Sequence, residues 1–162
     1  MFREMRRKKQ QLDINKSIKI LEKCKTGILA VLGDNGYPYT IPLNYVYKNN
    51  KIYLHSAKEG HKIDALKNYD KVSFCVIEKD DVVPSELTTY FRSVIVFGKA
   101  KILKNENDIL SAAKILGLKY IDDIEFIEKE IEKFKSSLSC IEIEIEHITG
   151  KEAIELKKNK DC

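Results

Sequence analysis

The stretch His55-Ser56-Ala57-Lys58-Glu59-Gly60-His61-Lys62 is the part of this chain best equipped for chemistry. It carries two imidazoles, two ammonium groups, a hydroxyl and a glycine. It follows the strand-like run Lys51-Ile52-Tyr53-Leu54 and leads into Ile63-Asp64-Ala65-Leu66, which reads as a helix. A helix N-terminus presents amide donors and the positive end of a dipole, so such a turn can hold a phosphate. The same composition also suits a solvated strand-to-helix turn, and local sequence leaves both readings open. A metal is not expected. His55 and His61 are six apart, the remaining histidine is the distant His147, and Glu59 and Asp64 complete no zinc spacing. Ser56 would need an organised base to act as a nucleophile, whereas a phosphate contact needs only its hydroxyl.

Two further stretches could contribute. Pro42 interrupts the run Tyr37 to Tyr47, in which Ile41, Leu43, Tyr45 and Tyr47 alternate onto one face and Thr40, Pro42 and Asn44 onto the other. Proline has no N–H to give a ladder, so this segment is expected at an edge or an interruption. Main-chain groups left free there could meet a flat heterocycle with alternating donors and acceptors. A plain edge strand protected against aggregation is the other reading. Tyr90-Phe91-Arg92-Ser93 puts an aromatic pair beside an arginine, which suits ring stacking or anion neutralisation and equally suits ordinary strand packing. Glu125, Glu128, Glu130 and Glu132 interleave with Lys129, Lys133 and Lys135, as on a solvated helix face. Walker loops, Gly-x-Ser-x-Gly and Gly-x-Gly-x-x-Gly are absent, which removes support for nucleotide hydrolysis and dinucleotide binding of the Rossmann type.

The elements that must position these residues are mostly strands. A helix capped by Asp13 or Asn15 should run to about Lys25 and be ended by Gly27. Ile28 to Leu32 follows as a strand, with a tight turn at Gly33-Asp34-Asn35-Gly36. Tyr37 to Tyr47 and Ile52 to His55 complete a meander. A short helix over Gly60 to Tyr69 and a strand over Val72 to Ile77 come next, then an irregular loop from Asp80 to Thr88. A long strand from Thr89 to about Leu103 has Gly98 as a bulge or bend. Helices are expected over about 107–116 and 124–135. Cys140 to Glu146 alternates isoleucine toward a core with glutamate toward water. Six antiparallel strands with a bend signal favour a small closed or split barrel over a sandwich.

The chain has 162 residues, 43% hydrophobic and 33% charged, enough for one domain with its own core over 1–162. Within it, 1–11 is a basic arm, 105–136 a helical insert and 157–162 a flexible tail. The net charge of +4 is concentrated in Arg3, Arg6, Arg7, Lys8 and Lys9 and in Lys157, Lys158 and Lys160. Such runs are commonly solvated tails, and a nucleic-acid partner is not expected. No apolar run approaches the roughly 20 residues that cross a bilayer, and no secretory leader is evident. Cys24, Cys75, Cys140 and Cys162 have no paired spacing. Reduced thiols, with Cys75 and Cys140 buried, and a cytoplasmic location are expected.

Nearly the whole chain resembles the pyridoxamine 5′-phosphate oxidase-like flavoproteins, and among them the 5-nitroimidazole-resistance (Nim-type) proteins. The likeness rests on Met5-Arg6-Arg7-Lys8, on Gly36 to Tyr45, on Lys51 to Lys62 and on Tyr90 to Ala100. It implies a mainly β fold, a six-stranded antiparallel FMN-binding split barrel with α insertions. It also implies a homodimer with flavin at the interface. Thr40, Ile41, Pro42, Leu43 and Asn44 would run along the isoalloxazine ring. His55, Ser56, Ala57, His61 and Lys62 would surround the ribityl phosphate, and Tyr90, Phe91, Arg92 and Ser93 would approach from the partner chain. An arginine-lysine pair occupies this phosphate turn in the oxidases proper, where this chain has His61-Lys62. The vitamin-substrate arginines have no counterpart, so pyridoxamine phosphate is not expected as substrate. The activity implied is an FMN-dependent oxidoreductase acting on nitroaromatic or other flat heterocyclic compounds, with His55 or Tyr45 as candidate proton donor. The alternatives are a non-catalytic flavin- or haem-binding carrier or sensor and, last, a nucleic-acid binder using the basic arm.

Overall fold

The computed structural model describes residues 1–158. Lys160, Cys162 and the end of the expected tail lie outside the described residues. Asp13 caps the first helix, α1 (Ile14–Lys23), by accepting from the Lys16 N–H at 2.9 Å. One face of α1 buries Ser17, Ile20 and Leu21. The helix stops short of Gly27, which lies within the first strand, β1 (Thr26–Leu32). A turn with Asn35 at φ 56° then leads to β2 (Pro38–Asn44). The meander continues through β3 (Val46–Lys48) and β4 (Lys51–Ala57), and α2 (His61–Asn68) follows.

Two long strands come next, β5 (Lys71–Val83) and β6 (Thr88–Ile102). They are followed by the helical insert, α3 (Glu106–Leu118) and α4 (Ile124–Phe134), by β7 (Leu138–Glu152) and by a short α5 (Glu155–Lys158). None of the described helices is long and apolar enough to cross a membrane.

The sheet order is β2-β1-β5-β6-β7-β4-β3, with every neighbouring pair antiparallel. This is a mainly β, split-barrel-like fold, but it has seven strands in an unclosed sheet rather than six. The extra strand comes from a break at Tyr45. The Tyr45 N–H donates to the Tyr120 hydroxyl at 3.0 Å, and that hydroxyl lies 2.8 Å from the Tyr45 carbonyl and 2.6 Å from the Lys25 carbonyl. Tyr45 thus leaves the ladder. The segments on either side of it become the two outermost strands of the sheet, so the split lies at this residue. Its ring is fully buried edge-on to Phe74, among Leu29, Ile52, Leu54, Val76, Val94, Val96, Ile141 and Ile143.

Three local expectations are also revised. The segment expected as a loop from Asp80 continues β5, because Asp80 to Val83 pair with Phe91 to Thr88. Glu142 does not face water. It is buried, with its carboxylate 3.0 Å from the Lys51 ammonium and 2.9 Å from that of Lys101. Cys75 is half-buried and Cys140 buried, both as free thiols. The bend at Gly98 is present. The β6–β7 register shifts between Phe97 and Gly98, where a Cβ would collide with the Glu144 carbonyl.

Candidate functional site

The end of β4 and the start of α2 form the cationic turn. Gly60 takes φ 119°, which L side chains rarely adopt, and so redirects the chain from strand to helix. The His61 and Lys62 amides begin α2 without intrahelical partners, whereas those of Ile63 and Asp64 donate to the Gly60 carbonyl at 2.8 and 3.1 Å. Burial, then the nearby Lys62 ammonium, hold His55 below its ordinary value. Burial likewise lowers Lys62. Among the described residues no carboxylate pairs with Lys62, and the Ser56 hydroxyl makes no hydrogen bond. His61 turns toward the neighbouring hairpin. Its ring stacks on Tyr39 at 4.2 Å, and its Nε2 lies 3.5 Å from the Asp34 carboxylate. Charge next to a bare hydroxyl and helix amides is the donor set for a phosphate.

The expected edge is present. β2 stands first in the sheet order and pairs only with β1, with Pro42 opposite Ile28. Along this edge the main-chain groups of alternate residues in the Thr40–Asn44 segment therefore point away from β1, outside the ladder. The Asn44 side chain donates to the Lys25 carbonyl at 3.2 Å.

Asn44 and His55 meet in a groove of about 350 Å³ whose other wall is the α3–α4 pair, including Gly117, Tyr120, Ile127 and Phe134. A groove of this size and apolar character takes a flat organic ring. Sequence reading missed this wall. Tyr120 carried the one available signal, a tyrosine directly after a helix, but its partners Tyr45 and Lys25 lie far away in the chain. Beside it the Lys119 ammonium sits 3.8 Å above the Tyr45 ring and donates to the Cys24 carbonyl at 2.5 Å, and burial brings it down to about 8. The two tyrosine-lysine contacts lock the insert onto the split.

The two proton-donor candidates separate. Tyr45 is inside the core, its hydroxyl donates to the Leu21 carbonyl at 2.8 Å, and burial raises it far above the phenol range. His55 lines the groove.

Tyr90, Phe91, Arg92 and Ser93 lie elsewhere in the protomer. Ile102 of β6 pairs with Ile141, next to the Cys140 that pairs with His55. Arg92 precedes Ile102 by about ten residues, roughly 30 Å along a strand. No hydrogen bond or ion pair joins this corner to the turn among the described residues. Arg92 Nη1 is 2.7 Å from Glu78, and its Nε is 3.0 Å from Glu152. Tyr90 donates to Glu86 at 2.8 Å, and the Lys151 ammonium lies 5.1 Å from the Phe91 ring centre.

The unclosed seven-stranded antiparallel sheet with its helical insert places the chain among the mainly β, split-barrel-like folds. Residues 13–152 match the family model for pyridoxamine 5′-phosphate oxidase, and the chain belongs to that family. Among solved structures it is similar to a protein provisionally assigned to 5-nitroimidazole antibiotic resistance in Bacteroides thetaiotaomicron. The TM-score is 0.71 at 21% identity, covering 87% of this chain and 85% of that one. It is also similar to a conserved hypothetical protein of Mycobacterium tuberculosis, at TM-score 0.79 and 16% identity over 92% and 90% of the two chains. A FAD-binding protein of Mesorhizobium loti matches at TM-score 0.63 and 24% identity, over 89% and 97%. At these identities the likeness concerns the fold. A search of curated proteins found no match.

Proposed function

We propose that this chain is an FMN-dependent oxidoreductase that reduces nitroaromatic or other flat heterocyclic compounds in the cytoplasm, as a homodimer with flavin at the subunit interface. The observation that carries this reading is convergence. The free edge of β2, the cationic turn and the apolar groove meet where Asn44 and His55 line a common wall. These are three different demands of one ligand: main-chain partners for a heteroaromatic ring, charge for a phosphate and an apolar slot beside them. The family match and the FAD-binding neighbour support a flavin as that ligand.

Bound flavin would supply the redox chemistry, accepting electrons from a reductant and passing them to the substrate. The chain's own residues do the rest. Ser56, Lys62 and the first amides of α2 hold the phosphate, and His61 joins them by swinging off Tyr39 and Asp34. The main chain of Thr40 to Asn44 borders the ring. The α3–α4 wall excludes water and receives the flat substrate. His55 Nε2 or Nδ1 gives the proton, since Tyr45 is committed to Leu21. Tyr90, Phe91 and Ser93 complete the site from the second copy, because their distance along β6 prevents them from reaching it in their own protomer. Arg92 holds that strand end through Glu78 and Glu152.

The test is the visible spectrum of freshly isolated protein, with mass spectrometry of the released ligand and anaerobic assay of a nitroimidazole with NADH or NADPH. Bound FMN and loss of the nitro absorbance are expected. A Soret band would favour a haem carrier, and a flavin that neither nucleotide reduces would favour a flavin carrier. A colourless protein that takes up no added FMN would refute both the activity and the cofactor.

A further inference from the structure

The Tyr120 hydroxyl stands where the sheet would otherwise bond to itself. β1 and β2 keep one unbroken register from Leu32 opposite Pro38 to Thr26 opposite Asn44. One step further along that register sets Lys25 opposite Tyr45. In an antiparallel ladder, pairs that exchange hydrogen bonds alternate with pairs that do not. At the far end of this register the Gly33 N–H donates to the Tyr37 carbonyl at 2.8 Å, so the bonded pairs fall on odd-numbered residues. Lys25 and Tyr45 would be the next bonded pair, and the ladder stops one step short of it. The Tyr120 hydroxyl lies between the two, 3.0 Å from the Tyr45 nitrogen and 2.6 Å from the Lys25 carbonyl. It accepts from the Tyr45 N–H and donates to Lys25, replacing one direct ladder bond by two longer links through a side chain.

The hydroxyl is held in this position from its own side. The Tyr120 and Ile121 N–H groups donate to the Gly117 carbonyl at 2.9 and 3.0 Å, which turns the chain at the end of α3. Lys119 beside it donates to the Cys24 carbonyl at 2.5 Å and lies above the Tyr45 ring. The same alternation governs the free edge. Thr40, Pro42 and Asn44 fall on the unbonded pairs, so their main-chain groups point outward, and the N–H that proline lacks belongs to that outer side. Asn44 ends this row. Its side chain donates at 3.2 Å to the Lys25 carbonyl that also meets Tyr120. A direct Tyr45–Lys25 bond would draw the strands together where the hydroxyl now keeps them apart, and Asn44 would move with them.

We infer that the Tyr120 hydroxyl is a wedge. It holds the β1–β2 ladder open at its last step and so fixes the outward main-chain groups of Pro42 and Asn44 at the ring edge of the site. Tyr120 is a positioning residue that acts through Tyr45 and Asn44. The wedge needs no ligand, and its effect on the ring rests on the flavin reading.

The test compares two variants of the full chain, each checked by its melting temperature. Tyr120→Phe deletes the hydroxyl and keeps the ring that lines the groove. Asp123→Ala loosens the insert elsewhere, by removing the cap that accepts from the Phe126 N–H at 2.9 Å. In amide NMR the native chain should show a nuclear Overhauser contact between the Tyr45 N–H and the Tyr120 ring. Tyr120→Phe should displace the Tyr45 amide signal, and Asp123→Ala should leave it in place. FMN affinity should fall at least tenfold in Tyr120→Phe, because a binding edge loses its preorganisation, and the absorption band of the FMN still bound should be displaced. Asp123→Ala should melt earlier yet keep FMN affinity within twofold and the native band. Absence of the native contact, or an unmoved Tyr45 amide in Tyr120→Phe, would overturn the wedge. So would native affinity with a native band in that variant, or an equal loss of affinity in both variants. A native chain that takes up no FMN refutes the flavin reading alone. The amide then decides the wedge: a displaced signal supports it and an unmoved one overturns it.

Discussion

The two cationic corners of this molecule are built in opposite ways. At the Arg92 corner, the guanidinium meets Glu78 and the nearly inaccessible Glu152, and Glu78 also meets Lys23. Against the burial that would raise it, Arg92 and Lys23 hold Glu78 below the ordinary carboxylate range. At the β4–α2 turn, Lys62 has no carboxylate partner among the described residues, and burial pushes both it and His55 toward the neutral form. The first corner is satisfied and stabilises the fold. At the second, the Lys62 ammonium has no carboxylate partner among the described residues, an arrangement that suits a charged ligand. An arginine in a sequence therefore does not by itself mark an anion site. The carboxylates brought to it by strand register decide.

Breaking the satisfied corner should have the largest effect. Arg92→Ala takes the guanidinium away from Glu78 and from the buried Glu152 and should lower the unfolding free energy by about 3 kcal/mol in urea titration. FMN affinity of the folded protein should change less than threefold. A stability loss under about 1 kcal/mol would erase the distinction between the corners. Lys62→Ala should do the reverse. FMN affinity should fall roughly tenfold, the value of one charge-assisted hydrogen bond of about 1.5 kcal/mol, while stability stays within about 0.5 kcal/mol.

Acid sharpens the contrast further. Glu78 and Glu142 are both held below 4.5, Glu142 against its burial by Lys101 and Lys51. Their contribution is complete above 4.5 and is lost as pH falls through their lower folded-state values. Glu142→Gln should make this acid limb shallower in thermal melts across that window. The smallest effect concerns His55. Because it sits below 6.5, its protonated form declines as pH rises through that lower value. Turnover limited by the protonated form should decline with it, and His55→Gln should flatten the profile.

Legibility in the sequence followed the range of the causes. The alternation of Ile141, Ile143 and Ile145 was readable because period two is local, and Gly98 and the edge at Pro42 because a missing Cβ or N–H acts where it stands. The break at Tyr45 was not, because Tyr120 makes it from 75 residues away. Glu142 looked solvent-facing because the cations that bury it come from β4 and β6. The cationic turn was visible as composition. Its groove was not, because one wall belongs to the insert. The paired state of Arg92 depended on register across β5, β6 and β7.

The central claim is that the β4–α2 turn, whose Lys62 ammonium has no carboxylate partner among the described residues, anchors a flavin phosphate. The most direct measurement is FMN titration, followed by fluorescence quenching, of the native chain against the His61→Ala, Lys62→Ala double variant with its melting temperature checked. The account predicts saturable binding by the native chain and at least roughly a hundredfold loss in a variant that remains folded. Full affinity in the folded double variant would contradict it.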